Sequence, residues 1–261
     1  MNKPAEHIVK SFDDQLEELR RTIVRMGGMV EAELSGAVEA LVRRDSDMAQ
    51  RIIESDKEVD ALEQQVDELA VRLLALRQPM AIDLREVLCA LKISTDLERI
   101  GDYACNIAKR AMALSQMRPV RPMRSPKRMA QLVQSQIKKV IDAYIERDLN
   151  KALEVWRGDE EVDEMYTSLF RELLTYMMED PRDITPGTHL LFVARNIERI
   201  GDHATNIAEY INYLISGEWT TLGRPKADTS SFAVVEPPAD RVVEALKDEE
   251  DGGGGTGKPE A

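Results

Sequence analysis

Two stretches of almost the same sequence decide the fold: residues 96–108 read DLERIGDYACNIA, and residues 196–208 read NIERIGDHATNIA. Nine of these thirteen positions are identical, and the second stretch follows the first at an offset of 100 residues. Neither stretch contains proline, and apolar residues recur every three or four positions, the spacing of one face of an α-helix. Each stretch therefore belongs to a helix in one copy of an internal repeat.

The repeat extends towards the amino terminus of each stretch. Residues 44–45 and 56–60 correspond to residues 147–148 and 159–163, at an offset of 103. The difference of three residues between the two offsets fits in the loop before the third helix of each copy. The sequence thus predicts an all-α fold of six helices, built as two tandem, pseudo-symmetric three-helix bundles.

The spacing of apolar residues and the positions of proline and glycine predict the boundaries. The six helices are expected at about residues 12–43, 47–77, 83–117, 126–147, 149–179 and 187–216. The first repeat is assigned to residues 8–117, a proline-rich basic linker to 118–128, and the second repeat to 129–217. Residues 218–261 form an acidic, glycine-rich tail, predicted to be disordered with a short helical piece at 239–250 and given no role.

Composition excludes several classes of protein. With a formal net charge of −13, the chain as a whole should repel nucleic acid and anionic lipid and attract cations or basic partners. Its apolar runs reach about five residues, whereas a membrane span needs about 20. The first residues contain no apolar segment typical of a secretory signal. We therefore expect a cytoplasmic protein that does not bind nucleic acid or insert into a membrane.

The two cysteines, Cys89 and Cys105, fall in one predicted helix. A helix of that length separates them by about 24 Å, so they cannot pair within it. We interpret both as unpaired, small apolar residues, which suits a reducing compartment.

Acidic residues recur four positions apart on two helices of each repeat, which places each pair on one helix face. The pairs are Asp56 and Asp60, Glu98 and Asp102, Asp159 and Asp163, and Glu198 and Asp202. If adjacent antiparallel helices bring two pairs together, four carboxylates meet in each repeat, and a bound cation would offset their repulsion. Because these ligands are all oxygen atoms, they favour Mg²⁺, Mn²⁺ or iron.

The rest of the third helix supports this interpretation. An apolar stripe on the opposite side of the helix should face the bundle. The stripe consists of Ile93, Leu97, Ile100, Ala104, Ile107 and Ala111. The carboxylates should therefore point away from the innermost core. Gly101 and Gly201 lie in helix interiors, where glycine costs about 1 kcal/mol relative to alanine. A glycine repeated at such a position predicts close approach of a neighbouring segment.

Two alternatives stay open at this point. The carboxylates could hold two metal ions that activate water for phosphoester hydrolysis, or the chain could be a metal-free helical scaffold. A ferritin-like di-iron site is excluded because the chain has no Glu-x-x-His sequence. With only His7, His189 and His203 available, and no glycine-rich phosphate loop, a nucleophilic triad or a nucleotide site is not evident.

The doubled sequence Glu-Arg-Ile-Gly-Asp at 98–102 and 198–202, each followed by Ala-x-Asn-Ile-Ala, resembles the PhoU family of phosphate-signalling regulators over about residues 8–216. The resemblance implies a cytoplasmic, six-helix, often dimeric protein that is a regulator and not an enzyme. It also implies negative control of phosphate uptake and of the phosphate-starvation regulon. The implied partners are the ATPase subunit of a phosphate ABC transporter and a phosphate-sensing histidine kinase.

The resemblance also implies metal clusters on the repeated acids. Carried over by position, the ligands are Asp56, Asp60, Glu98 and Asp102 in the first repeat, and Asp159, Asp163, Glu198 and Asp202 in the second. The implied cofactors are divalent metal ions. Asp96 has Asn196 as its counterpart, so the two sites need not be equivalent.

Overall fold

A computed structural model of the chain describes residues 4–77, 82–119, 124–219 and 226–235, and these contain helices and turns but no strand. The first repeat consists of α1 (Pro4–Arg43), α2 (Ser46–Arg77) and α3 (Ile82–Ser115). The second consists of α4 (Arg124–Glu146), α5 (Leu149–Arg157), α6 (Asp159–Glu179) and α7 (Ile184–Ser216). The predicted all-α fold of two tandem three-helix units is confirmed.

The fifth predicted helix is divided at Gly158 into α5 and α6. The amide of Gly158 donates to the carbonyl oxygens of Glu154 and Val155, both at 3.0 Å, and thereby closes α5. The corresponding residue of the first repeat, 103 positions earlier, is Ser55, which lies inside the uninterrupted α2. The second repeat therefore has a break immediately before its first acidic pair, which the first repeat lacks.

Two other boundaries differ from the prediction. Helix α4 begins at Arg124, so the end of the predicted linker at 124–128 is helical. Pro126 is compatible with this start because a first-turn amide has no helical partner to lose. In the tail, residues 226–229 form hydrogen bonds with the second repeat, a contact that the sequence does not predict. The predicted helical piece at 239–250 lies outside the described residues.

The helices pack through the apolar faces that their periodicity predicts. Every residue of the predicted α3 stripe is at most 2 % exposed, and the matching positions of α7 are buried in the same way. Helices α1–α3 form one bundle and α4–α7 the other, and the bundles join where α1 meets α4 and α3 meets α7. Burial of each large apolar side chain contributes about 1.5–3 kcal/mol. None of the helices in the described ranges is long and apolar enough to cross a membrane.

Glu86 of α3 forms an ion pair between the two bundles. Its carboxylate is 2 % exposed and accepts from the guanidinium groups of Arg20 on α1 and Arg147 on the turn after α4. Arg147 has a positive φ of 52°, as does its counterpart Arg44 with 58°, so the repeat keeps this turn conformation. A cavity of about 330 Å³ lies beside these groups and is also lined by Tyr144. A buried carboxylate with two arginine partners thus stabilises the junction.

The two repeated glycines differ in the space around them. A Cβ at Gly101 would lie 3.1 Å from Asp56 Oδ1 and 3.3 Å from Glu33 Oε2, whereas a Cβ at Gly201 would meet its nearest neighbour, Val162, at 3.4 Å. The predicted close approach is confirmed at Gly101, where the approaching groups are carboxylates.

We expect Gly201→Ala to stabilise the protein by up to about 1 kcal/mol, the gain in helix propensity. Gly101→Ala should fall short of this by about 1 kcal/mol, because the new methyl group displaces two acidic side chains. Urea unfolding of both variants beside the native chain measures the difference. Equal effects of the two substitutions would contradict the unequal crowding.

Candidate metal centre

The first cluster brings together the four acids predicted for the first repeat. Helix α2 supplies Asp56 and Asp60, and α3 supplies Glu98 and Asp102. Burial, followed by the charges of Asp60 and Asp102, raises the pKa of Asp56. Burial and the charge of Asp102 likewise raise the pKa of Glu98, although Arg99 opposes this shift. The acids are therefore close enough to repel one another across two helices.

Glu33 of α1 is a fifth member that the sequence interpretation missed. It is 4 % exposed, and its Oε1 atom accepts from the hydroxyl of Ser55 at 2.9 Å. Its Oε2 atom is buried and finds no hydrogen-bond partner in the part of the chain that the structure describes. Burial, together with the charges of Asp56 and Asp60, raises the pKa of Glu33 to about 7. A signal was present in the repeat: its counterpart, Gln136, is also polar and buried.

The second cluster is more deeply buried than the sequence predicts. Asp159, Asp163 and Glu198 are only 1–2 % exposed, because α6 packs directly over this face of α7. The carboxylates lie on the helix face opposite the apolar stripe, as predicted, but these three side chains are nevertheless buried. Burial, and then the charge of Asp202, raises the pKa of Glu198 to about 7. Burial also raises the pKa of Asp163.

The two clusters have different neutral neighbours. Thr205 donates its hydroxyl hydrogen to Asp159 Oδ1 at 3.2 Å, and the residue in its place in the first repeat is Cys105, whose thiol contacts Asp56. The Gln136 amide donates to the Gly158 carbonyl oxygen at 2.9 Å, in contrast to the Glu33 carboxylate, which accepts from Ser55. A hydroxyl group beside the second cluster thus takes the place of a thiol beside the first.

Both cysteines are unpaired and buried, as predicted. Asp96 does not join the first cluster. Instead it accepts from His203 and from Asn206, the latter at 3.3 Å, across the contact between α3 and α7. The difference between Asp96 and its counterpart Asn196 therefore affects the contact between the two repeats and not the composition of either cluster.

The chemistry of both clusters fits a bound cation. Among the residues that the structure describes, three buried carboxylate oxygens have no hydrogen-bond partner, namely Glu33 Oε2, Asp163 Oδ1 and Glu198 Oε2. Such an oxygen has lost its hydration without a replacement, and a hard divalent cation is the kind of group that satisfies several at once. Within the described residues, however, no three His, Cys, Asp or Glu side chains lie ready to hold one ion. Ligation would require rotation of these carboxylates.

Residues 226–228 cover the second cluster. The amides of Ala227 and Asp228 donate to Asp163 Oδ2 at 2.9 and 3.3 Å. The Lys226 ammonium donates to Asp202 Oδ1 at 2.8 Å. The segment thus supplies positive charge and N–H groups to two of the predicted ligands.

Comparison with known proteins finds one domain twice in the chain. The PhoU domain model matches residues 23–111 and 127–211. A phosphate-specific transport system accessory protein PhoU homolog from Caulobacter vibrioides is 52 % identical over 227 residues, which is 87 % of this chain and 99 % of that protein. The phosphate-specific transport system accessory protein PhoU of Escherichia coli is 41 % identical over 212 residues, covering 81 % of this chain and 88 % of that one.

Solved structures agree in fold. The crystal structure of PhoU from Pseudomonas aeruginosa superposes with a TM-score of 0.77 at 42 % identity, covering 79 % of this chain and all of that one. The phosphate transport system regulatory protein PhoU from Streptococcus pneumoniae superposes with a TM-score of 0.75 at 31 % identity, covering 81 % of this chain and all of that one. Sequence, repeat and fold therefore agree that this chain belongs to the PhoU family.

Proposed function

We propose that this chain is an accessory regulator of phosphate transport that restrains phosphate uptake and the phosphate-starvation genes. The observation that carries the proposal is the doubled three-helix unit with a carboxylate cluster in each half. The alignment that contains this doubled unit covers 99 % of a relative named as a phosphate-specific transport system accessory protein. The regulator would work in the cytoplasm, as a homodimer, between the transporter ATPase and a phosphate-sensing histidine kinase.

A deletion strain tests this role. We expect higher uptake of radiolabelled phosphate and raised transcripts of phosphate-starvation genes in phosphate-rich medium, both restored by the native chain. A strain carrying an unrelated helical protein at the same locus is the control. Normal repression and unchanged uptake in the deletion strain would remove the regulatory proposal.

We also propose that both clusters bind divalent metal ions. Asp56, Asp60, Glu98 and Asp102, with Glu33 as an added member, would hold metal in the first cluster. Asp159, Asp163, Glu198 and Asp202 would do so in the second. The metal would neutralise the converging carboxylates and bridge helices that repel one another without it. The unpaired buried oxygens and the raised pKa values support this assignment.

Elemental analysis of the full chain tests the ligands. We expect metal in the native protein and its loss in the double variant Asp102→Asn/Asp202→Asn, because each amide removes a negative charge from its cluster. The matched control is Glu68→Gln, which changes an exposed acid away from both clusters. Native protein without metal after incubation with Mg²⁺, Mn²⁺ and Fe²⁺ would leave the regulatory role to partner binding alone.

The regulatory proposal differs from a hydrolase in one measurable property. A hydrolase would release phosphate from generic phosphoesters or polyphosphate in a metal-dependent way, and the same double variant would abolish the release. We expect no such turnover from the native chain. Release that depends on both the metal and the two aspartates would replace the regulatory proposal with a catalytic one.

A further inference from the structure

The segment 226–230 lies against the second cluster through its backbone. Two successive amides, those of Ala227 and Asp228, converge on one oxygen of Asp163, a residue that is 1 % exposed. Hydrogen bonds to a buried carboxylate are about twice as strong as those between neutral groups. This pair of donors therefore anchors the segment.

Residues on both sides of these two amides make further contacts with the second repeat. Lys226 meets Asp202, and Asp228 accepts from Arg195 of α7 at 2.8 Å. Arg195 also lies 3.2 Å from Glu198 Oε1, so it connects the segment to a third member of the cluster. The Thr229 amide donates to Thr167 Oγ1 on α6 at 3.3 Å. The groove thus fits an extended peptide with a cation, a small residue and then an acid.

The segment occupies one oxygen atom on each of two carboxylates that we propose as metal ligands. Asp163 Oδ2 accepts two amides, and Asp202 Oδ1 accepts the ammonium group. A divalent cation bound through the remaining oxygens of these two carboxylates would lie close to the Lys226 ammonium, and the like charges would repel each other. In the first cluster, by contrast, Glu98 and Asp102 are paired with Arg99 of their own helix, at 3.5 and 3.2 Å.

We propose that the acidic face of the second repeat is a docking groove for an extended segment that carries a lysine followed, two positions later, by an aspartate. The occupant is residues 226–230 of the chain itself, and this segment and a divalent cation exclude each other from the second cluster. The exclusion half rests on the metal binding proposed above, while the docking half does not. The two clusters of one chain would then differ in metal affinity although their predicted ligands match.

Hydrogen–deuterium exchange and Mn²⁺ titration of the full-length chain test the two halves. The test variant is Ala227→Pro, which removes one amide donor to Asp163 without changing charge. The matched control is Val234→Pro, which places the same residue at a position that is 86 % exposed. Titrations are made in the Asp102→Asn background, so that they report the second cluster. Exchange is followed in the peptide that contains residues 226–230.

We expect slow exchange of this peptide in the native chain and in Val234→Pro, and fast exchange in Ala227→Pro and in native chain saturated with Mn²⁺. Mn²⁺ should bind the second cluster about tenfold more tightly in Ala227→Pro, because no docked segment must first leave. Fast exchange in the native chain would overturn the docking groove.

The remaining outcomes separate this inference from the proposed function. Mn²⁺ affinity that is equal in Ala227→Pro and in the control would overturn the exclusion and leave metal binding intact. If Mn²⁺ binds the second cluster in no variant, the proposed metal binding there fails and the exclusion fails with it. Docking is then supported by protection that Ala227→Pro loses and Val234→Pro keeps, and it is overturned if both variants exchange alike.

Discussion

The free energy of unfolding of the metal-free protein should fall as the pH rises from about 5 to about 8. Burial raises the pKa of both Glu33 and Glu198 from an ordinary 4.5 to about 7. Between these values the folded state binds protons that the unfolded state has released, so stability decreases with pH. At 1.36 kcal/mol per pKa unit, each acid contributes a loss of about 3 kcal/mol. Urea unfolding in EDTA across this range measures it.

Two comparisons separate this effect from general acid sensitivity. Glu33→Gln gives the first repeat the residue type that the second has at Gln136, and it should remove about half of the pH dependence. Glu68→Gln, at an exposed position, should leave it unchanged. Asp228, whose pKa is lowered, acts in the opposite sense but at more acidic pH. Stability in EDTA that is flat or rises from pH 5 to pH 8 would contradict the burial of charged carboxylates.

Glu86→Ala should destabilise the protein by about 2–3 kcal/mol, because it removes the buried acceptor of two guanidinium groups. Both arginines are about 40 % exposed and can turn to water, which keeps the effect below that of a fully buried pair. For a chain of this size the melting temperature should fall by about 5–10 °C. Differential scanning calorimetry of the metal-free variants measures the change.

The control is Glu154→Ala, which removes an ion pair to Lys139 at 2.8 Å with both side chains 42–58 % exposed. Exposed pairs contribute about 0–1 kcal/mol, so this variant should melt close to the native chain. Glu86→Gln keeps the volume of the side chain and should fall between the two. An effect of Glu86→Ala no larger than that of the control would show that the junction does not depend on this carboxylate.

Most of the fold could be predicted because helices leave a periodic pattern and the chain contains that pattern twice. The break at Gly158 could not, since glycine alone does not end a helix here. Gly27 and Gly28 lie inside α1, and Gly101 and Gly201 lie inside α3 and α7. At Gly158 the Gln136 amide donates to the Gly158 carbonyl oxygen, a tertiary contact that helix periodicity does not report.

The acidic pairs could be found because a spacing of four marks one helix face. Glu33 was hidden because no acid lies four positions before or after it on α1. It lies between Val30 and Leu34, where an acid looks like an exception to an apolar stripe. Only the comparison with Gln136 at the same place in the other repeat could have revealed it. The contact of residues 226–228 was hidden for another reason: backbone amides do the binding at Asp163, and side-chain patterns do not report them.

The break at Gly158 gives the second cluster a compensation that the first lacks. Asp159 opens α6, whereas Asp56 lies in the middle of α2. Unpaired amides at a helix start carry partial positive charge, and the resulting helix dipole favours a nearby carboxylate by about 0.3–1 kcal/mol. Part of the repulsion in the second cluster is therefore offset by the backbone itself. One helix start therefore leaves the two copies of the repeat with unequal electrostatic compensation of their acids.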